Sequence, residues 1–204
     1  MTAWSWGYRD FVSSPLDSFL DRPVRGFLDQ LAARTPTPGG GGAAAVTGAM
    51  AAGLVAMAAR FSARQLPEAA DLADQADELR RRAADLADLD AQAYTAVLAA
   101  LRLPAEAGQR REALEGAAVV PLEIAEIGAR VGQLAVRVAE AGNPNLRGDA
   151  VTGAVLAAAS ARSAACLVDI NVRLGGLEPE LSRRAAQAVA DACAAANRVS
   201  GGGG

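Results

Sequence analysis

The chain contains no histidine and no lysine, and only two cysteines among its 204 residues. Histidine is the usual general base near neutral pH and the commonest metal ligand, so its absence argues against a metal site and against Ser-His or Cys-His triads. Any catalysis must use carboxylates, amides, arginine, hydroxyls or backbone dipoles. Cys166 and Cys193 are too few for a disulfide framework, and their apolar, helical surroundings predict buried, reduced thiols.

Aromatic residues are scarce as well. Phe, Trp and Tyr make up 4% of the chain although 51% of it is apolar, so the core must consist mainly of Ala, Leu and Val. Alanine in this quantity favours helices that pack closely. A net charge of −3 without any long basic run argues against nucleic acid as a partner, because phosphate binding needs clustered cations.

The sequence also shows no secretory signal pattern and no strongly apolar run of membrane length. Residues 41–59 come closest, but they are weakly apolar because they consist largely of Gly and Ala. We therefore expect a cytoplasmic protein that does not bind a membrane.

No segment alternates in the way that a strand requires, and Val and Ile recur at helical intervals. The sequence predicts an all-α fold, a bundle of about six to seven helices with one long central helix. We expect residues 1–20 to form an N-terminal arm, residues 21–200 to form one helical domain, and the glycine tail 201–204 to be disordered. The arm holds most of the aromatic residues: Trp4, Trp6, Tyr8 and Phe11.

Prolines, glycines and capping residues predict where the helices begin and end. Asp21 is placed to cap the first helix, and Pro121 either kinks the fourth helix or starts a new one. Asp149 lies where the next helix would begin. The predicted helices are Pro23 to about Thr35, Ala43 to Ser62, Pro67 to Leu101, Gln109 to Val119, Leu122 to Ala141, about Asp149 to Leu174, and Pro179 to about Val199.

Four consecutive glycines, Gly39, Gly40, Gly41 and Gly42, precede the second helix, whose larger side chains recur on one stripe from Val46 to Phe61. A glycine loop that opens a helix presents free backbone N–H groups and is a candidate anion site. The same loop can be a tight turn that lets two helices approach, and the sequence leaves both interpretations open. It lacks the lysine of a nucleotide-binding P-loop, which disfavours a nucleotide-phosphate binder.

The long predicted helix carries one charge on its apolar face. Alternate steps of four and three residues give a stripe in which only Asp90 is charged. A carboxylate at such a position loses water, so a buried partner or a function is needed to explain it. The stripe comprises Leu72, Ala76, Leu79, Ala83, Leu86, Asp90, Ala93, Val97 and Ala100.

Several motifs occur in an order that resembles the cyclodeaminase/cyclohydrolase family, which includes formiminotransferase-cyclodeaminase and methenyltetrahydrofolate cyclohydrolases. The resemblance covers about Val24 to Val199, and no single motif carries it. The motifs are Phe27-Leu28-Asp29, Pro36-Thr37-Pro38 with the four glycines, Leu86 to Tyr94, Leu101-Arg102-Leu103-Pro104, Val120-Pro121-Leu122, Gly142-Asn143 with Asp149, and Ile170-Asn171-Val172.

The resemblance implies an all-helical homodimer that acts on a one-carbon unit carried by tetrahydrofolate, a reduced folate, with no other cofactor. The second acid of the family's Asp-x-Asp pair matches Asp90, which implies that Asp90 is the catalytic residue. Asp149 and Asn171 match positions near the same site, and the glycine segment would form another wall. Arg147 is a candidate for holding the glutamate tail of the folate.

Two positions depart from the family pattern. Leu167 stands where an Asn is expected, and Gly148 stands where Ser or Thr commonly precedes the Asp. The loss of a polar pocket residue bears on which substrate is used.

Three functions remain open at this point. The first is hydrolysis of 5,10-methenyltetrahydrofolate to 10-formyltetrahydrofolate with Asp90 as general acid and base, and the second is cyclisation of formiminotetrahydrofolate with release of ammonia. The third is a catalytically inactive helical dimerisation module, in which an Arg would hold Asp90 across the core.

Overall fold

The computed structural model describes residues 18–102 and 108–201, and these residues form six α-helices and two short 3₁₀ turns without any strand. This confirms the predicted all-α bundle. The helices are α1 (Val24–Ala32), α2 (Gly40–Arg60), α3 (Ala69–Ala100), α4 (Gly108–Ala141), α5 (Arg147–Gly175) and α6 (Glu180–Ser200), and the 3₁₀ turns are Phe19–Asp21 and Pro144–Leu146.

The bundle has three long helices, and the predicted long helix is α3, one of them. α3 has 32 residues, α4 has 34 and α5 has 29. α4 continues through Pro121, so the two segments predicted before and after this proline, Gln109 to Val119 and Leu122 to Ala141, form one helix. α4 packs against α2, α3, α5 and α6, so it lies at the centre of the bundle.

Small residues form the buried face of α2. Gly48 lies against Ser160 of α5, and Gly153 of α5 lies against Val55 of α2, so the two helices approach closely along antiparallel directions. The predicted stripe of larger side chains lies on the outer side of α2, where Met50 is 53% exposed and Phe61 is 63% exposed. Ala side chains and the backbone at Gly therefore fill the space between α2 and α5, and α2 leaves an apolar face uncovered.

Arg-Glu pairs connect the long helices at the surface. Arg82 of α3 pairs with Glu123 of α4 at 2.5 Å, and Arg198 of α6 pairs with Glu140 of α4 at 2.6 Å. Such exposed pairs add about 0 to 1 kcal/mol each. They help to set the register of the helices, whereas the buried Ala, Leu and Val side chains supply most of the stability.

The segment before α1 differs from the prediction. Asp21 does not cap a helix, because it lies inside the first 3₁₀ turn and α1 begins after Pro23. Phe19 is buried against Phe27, and its backbone N–H donates to Asp88 Oδ1 at 3.0 Å. The four aromatic residues of the predicted arm and the glycines after Gly201 lie outside the described residues.

The cysteines are both free thiols, but Cys166 is exposed and Cys193 is half-buried, so the prediction that both are buried was wrong. Cys166 lies on the outer side of α5, one residue before Leu167.

Two helical segments, Gly40–Arg60 and Pro144–Gly175, are long and apolar enough to cross a membrane by length and composition. Of their most apolar windows, 56% and 44% are buried inside the bundle. This is the pattern of core helices in a bundle built from alanine, and it is weak evidence for a membrane span.

Candidate active site

Asp90 lies on the face of α3 that the periodicity predicted. Leu86, one turn before it, is fully buried, and Val97, two turns after it, is 5% exposed. Asp90 itself is half-buried and turns towards the first residues of α2. The backbone N–H of Gly42 donates a hydrogen bond to its carboxylate. This N–H is one of those at the start of a helix that have no partner within the helix.

The glycines are part of helix α2 and not a loop before it. Gly39 occupies the capping position without a side-chain bond, and Gly40, Gly41 and Gly42 form the first turn. A Cβ atom at Gly41 would overlap the Asp90 carboxylate, whereas a Cβ atom at Gly40 would lie at an ordinary 3.9 Å from Leu167. Gly41 therefore lets the carboxylate approach the positive end of the α2 dipole.

Burial raises the pKa of the Asp90 carboxyl above its ordinary value, and the hydrogen bond from Gly42 opposes this shift. No arginine among the described residues contributes to the pKa of Asp90. The inactive-module hypothesis required such an arginine. Among the residues that the structure describes, the start of helix α2 stabilises the carboxylate and no arginine pairs with it.

Asp90 forms part of the wall of a cavity of about 460 Å³, a volume within the usual range for small-molecule sites. None of the described residues that line it is an arginine. Its polar side chains are few, and most of the wall is apolar. The lining residues are Pro36, Thr37, Gly39, Gly40, Gly41, Asp90, Ala93, Tyr94, Val97, Leu98, Leu101, Ala117, Leu167, Ile170, Asn171 and Leu174.

Asn171 faces this cavity from α5, as the resemblance implied. Its side-chain Nδ2 donates to the backbone carbonyl of Ala117 in α4 at 2.8 Å, so the amide bridges two helices in the cavity wall. The cavity thus brings together Asp90, Asn171 and the start of α2. Gly42 lies behind this wall, where its N–H holds Asp90.

Arg147 and Asp149 lie elsewhere in the monomer. Both are in the first turn of α5, whereas Asn171 is in its last turns, and 22 residues of helix span about 33 Å. Arg147 donates to the carbonyl of Val199 near the end of α6 at 2.9 Å. Within one chain, therefore, these two residues lie far from the end of α5 that lines the cavity.

The two departures from the family pattern have different positions. Leu167 lines the cavity beside Gly40, so it makes the wall near Asp90 apolar. Gly148 is exposed near the start of α5 and is remote from the cavity.

Four apolar or aromatic lining residues at the end of α3 and just after it were not singled out from the sequence as site residues. They follow Asp90 at helical intervals, which is the signal that could have identified them: Tyr94, Val97, Leu98 and Leu101.

A larger groove of about 790 Å³ runs between α3, α4 and α6. Its acids and arginines include pairs that satisfy each other, such as Arg82 with Glu123 and Arg184 with Glu126. Because these charged side chains neutralise each other in exposed pairs, the groove is the weaker candidate for chemistry. No group of three or more potential metal ligands occurs among the residues that the structure describes.

Comparison with known proteins identifies the family of the chain. The family model for formiminotransferase-cyclodeaminase matches residues 23–176. A methenyltetrahydrofolate cyclohydrolase from Methylorubrum extorquens is 38% identical over 164 residues, which cover 74% of this chain and 79% of that protein.

The formimidoyltransferase-cyclodeaminase of Mus musculus is 32% identical over 152 residues, which cover 64% of this chain but 27% of that longer protein. A solved structure of a formiminotetrahydrofolate cyclodeaminase from Thermotoga maritima superposes with a TM-score of 0.82 at 28% identity, covering 89% of this chain and 96% of the other. The chain belongs to the formiminotransferase-cyclodeaminase family.

Proposed function

We propose that this chain hydrolyses 5,10-methenyltetrahydrofolate to 10-formyltetrahydrofolate, with Asp90 as general base and then general acid. The observation that carries the proposal is a carboxylate in a largely apolar cavity, with no cationic partner among the described residues. The substrate has a cationic amidinium bridge between N5 and N10, and this cation would supply the missing charge. The relative with 38% identity bears the name of this activity.

The reaction adds water to the central carbon of the bridge. The water oxygen bonds to this carbon while Asp90 accepts one water proton, which gives a neutral tetrahedral intermediate. The bond from carbon to N5 then breaks, Asp90 returns its proton to N5, and the remaining hydroxyl proton leaves to solvent as the formyl C=O forms. One proton is released overall, because a cation and water yield a neutral product.

Each feature of the site contributes to these steps. The ionised carboxylate of Asp90 stabilises the bound cation and removes a proton from water. The N–H of Gly42 orients the carboxylate, and the apolar wall that includes Leu167 limits access of bulk water. Because its pKa is raised towards neutral pH, Asp90 is a stronger base than an ordinary Asp.

The test is an absorbance assay of methenyltetrahydrofolate consumption with the wild type and Asp90→Asn. Asp90→Asn keeps the shape of the side chain and removes the base, so we expect kcat to fall about 10²- to 10⁴-fold. Asp85→Asn makes the same change on the exposed side of α3 and should keep full activity. Wild-type turnover in Asp90→Asn would refute the proposal.

A second candidate reaction is the cyclisation of formiminotetrahydrofolate. The structural relative from Thermotoga maritima bears this name and superposes over most of the chain. In this reaction N10 attacks the formimino carbon and ammonia leaves, so Asp90 would carry a proton to the leaving amine. An ammonia-release assay run beside the absorbance assay distinguishes the two reactions.

We also propose that the chain is a homodimer, formed through the outer faces of α2 and α5. This surface carries several large apolar side chains that the monomer leaves exposed: Met50, Phe61, Val155, Ile170 and Leu174. Exposed apolar surface that extends along two helices is typical of an interface.

A two-fold arrangement of this kind would explain the remote position of Asp149. α2 and α5 run antiparallel, with Gly40 beside Leu167 at one end and Val55 beside Gly153 near the other. If a second copy packs its α5 antiparallel across the same face, the first turn of that helix lies over the end of α5 that holds Asn171. Asp149 of the second copy would then lie near the mouth of the cavity.

The same proposal includes the location and the partners of the chain. We expect it to be cytoplasmic, to bind a reduced folate, and to bind neither nucleic acid nor a membrane. Tetrahydrofolate is the carrier of the substrate, and the reaction needs no other cofactor. The net charge of −3 and the absence of a basic surface run support this view.

A further inference from the structure

Helix α4 contains a proline at a place where its backbone meets the cavity. Pro121 lies inside the helix and its ring is fully buried. Proline has no N–H, so it cannot donate to the carbonyl of Ala117, which is the i−4 partner of residue 121. Ala117 itself lines the cavity.

The side chain of Asn171 takes the place of the missing backbone donor. Its Nδ2 lies 2.8 Å from the Ala117 carbonyl oxygen. The orientation of this amide follows from chemistry, because a carbonyl oxygen can only accept and the atom next to it must be the NH₂ group. The proline and the asparagine are 50 residues apart in sequence, and their connection through Ala117 is visible only in the fold.

We propose that Pro121 and Asn171 form a positioning pair for the hydrolysis described above. The carbonyl of Ala117, left without its helical donor by Pro121, holds one amide hydrogen of Asn171 and fixes the plane of the side chain. Oδ1 of Asn171 then serves the cavity as a hydrogen-bond acceptor. This inference rests on the proposed function.

The acceptor has a specific use beside a carboxylate. A water molecule that attacks the substrate has two hydrogens to place, and Asp90 accepts one of them. Asn171 Oδ1 accepts the other, so that a lone pair of the water oxygen points at the electrophilic carbon. An acceptor also suits the neighbourhood of a cationic substrate, whereas an unpaired N–H directed at that cation would be unfavourable.

This arrangement accounts for a proline in the middle of a long helix. A normal residue at position 121 would return an N–H to the Ala117 carbonyl, which would then compete with Asn171 for the same acceptor. Helix α4 lacks one backbone hydrogen bond at Ala117, and the amide of Asn171 in the cavity wall has a fixed orientation instead.

The test uses the full-length chain and steady-state kinetics with methenyltetrahydrofolate. Asn171→Leu replaces the amide by an apolar group of similar shape, and we expect kcat to fall about 10- to 100-fold with a change in KM of less than about threefold. Gln187→Leu makes the same chemical change on the exposed side of α6 and should leave both constants unchanged. Melting temperatures confirm that each variant is folded.

Pro121→Ala restores the backbone donor and should lower kcat, as Asn171→Leu does. The double variant Pro121→Ala/Asn171→Leu should have the kcat of Asn171→Leu alone, because both changes remove one function. Asn171→Asp keeps the acceptor but loses the donor unless it is protonated, so its kcat relative to the wild type should rise as the pH is lowered. This variant decides the matter if Pro121→Ala does not fold.

The inference is overturned if Asn171→Leu or a folded Pro121→Ala has the wild-type kcat. It is also overturned if the losses multiply in the double variant, or if Asn171→Asp shows no relative gain at low pH. Asp90→Asn distinguishes this failure from failure of the proposed function. If Asp90→Asn is inactive and Asn171→Leu is fully active, only the positioning pair is refuted. If Asp90→Asn is fully active, the positioning pair and the proposed function are both refuted.

Discussion

At the scale of single residues, the site depends on one acid in an environment that disfavours its charge. Asp90 is half-buried and has no cation beside it in the described part of the chain, so its charge costs free energy in the folded protein. The backbone N–H of Gly42 offsets only part of this cost. Enzymes commonly accept such a cost where a group must act as a base. The cost should therefore be measurable in the stability of the unliganded protein.

We predict that Asp90→Asn stabilises the unliganded protein at neutral pH. The folded-state pKa of Asp90 is raised, so its favourable contribution is complete below the unfolded pKa of about 3.9 and is lost as the pH rises through the folded pKa. At pH values above the folded-state pKa, Asp90→Asn should melt at a higher temperature than the wild type. The difference should be about 2 to 4 °C for each kcal/mol by which the variant is more stable. At about pH 4 the two proteins should melt alike.

Calorimetry or circular dichroism between pH 4 and pH 8 provides the measurement, and Asp85→Asn on the exposed side of α3 is the control. A melting temperature of Asp90→Asn that is lower than the wild-type value at pH 8 would show that the carboxylate is favourably paired.

The same raised pKa should appear in the kinetics. Asp90 must be ionised to accept a proton, so kcat/KM should fall as the pH is lowered through a pKa above the ordinary Asp value of about 3.9. A pH profile of methenyltetrahydrofolate hydrolysis measures this limb, with a buffer series at constant ionic strength. A profile that is flat down to pH 4 would contradict the assignment of Asp90 as the base.

At the scale of helices, α2 and α4 are the elements whose local sequence is least typical of a helix interior. Each glycine costs about 1 kcal/mol relative to alanine and an interior proline about 3 kcal/mol, which is why the sequence predicted a loop and a break. The structure compensates both through side chains from other helices. Asp90 of α3 holds the first turn of α2, and Asn171 of α5 bonds to Ala117 of α4.

The stripe of apolar residues on α3, in contrast, was predictable from the sequence. Its apolar residues repeat with helical period over the whole length, so local pattern and tertiary burial agree, and Leu72, Leu79 and Leu86 are all buried. The separation of Asp149 from Asn171 was also available from the sequence, since a continuous helix of that length keeps its ends apart. The outward orientation of Met50 was not, because only the fold shows that Gly and Ala fill the space between α2 and α5.

We predict that Gly41→Ala impairs catalysis more than any other glycine-to-alanine change on α2. The added methyl group would overlap the carboxylate of Asp90, so either the acid or the helix terminus must move. A displacement of about 1 Å can cost about 100-fold in rate, and we expect a loss of kcat/KM of this order. The acidic limb of the pH profile should shift as well, because the bond from Gly42 is disturbed.

Gly53→Ala is the matched control on the same helix. Its methyl group would lie 3.5 Å from the flexible side chain of Arg80 and far along the helix from the cavity, so activity should be unchanged. Equal kinetics of Gly41→Ala and Gly53→Ala would contradict the close approach of Asp90 to the start of α2.

At the scale of the whole molecule, the apolar outer faces of α2 and α5 are the largest feature that a single chain does not explain. We predict that Met50→Arg and Val155→Arg each weaken self-association, because a charge at the centre of an apolar interface would be buried without a partner. Analytical ultracentrifugation over a range of concentrations measures the effect. Gln187→Arg on α6 is the control, and a wild type that sediments as a monomer throughout would refute the dimer.

A shared site predicts complementation between two impaired variants. If Asp149 of one copy completes the cavity of the other, mixed dimers of Asp90→Asn and Asp149→Asn contain one intact site each. Random exchange of subunits should then restore about a quarter of the wild-type activity. Activity of the mixture equal to the mean of the two separate variants would show that each chain forms its site alone.

The exposed thiol on α5 offers a natural reporter of these events. Cys166 lies on the same side of the helix as Val155 and Ile170, while Cys193 is half-buried on α6. Alkylation by a maleimide dye should therefore be fast at one sulfur and slow at the other. If subunits cover that sulfur, its labelling rate will fall as protein concentration rises, and the chain needs no engineered residue to reveal it.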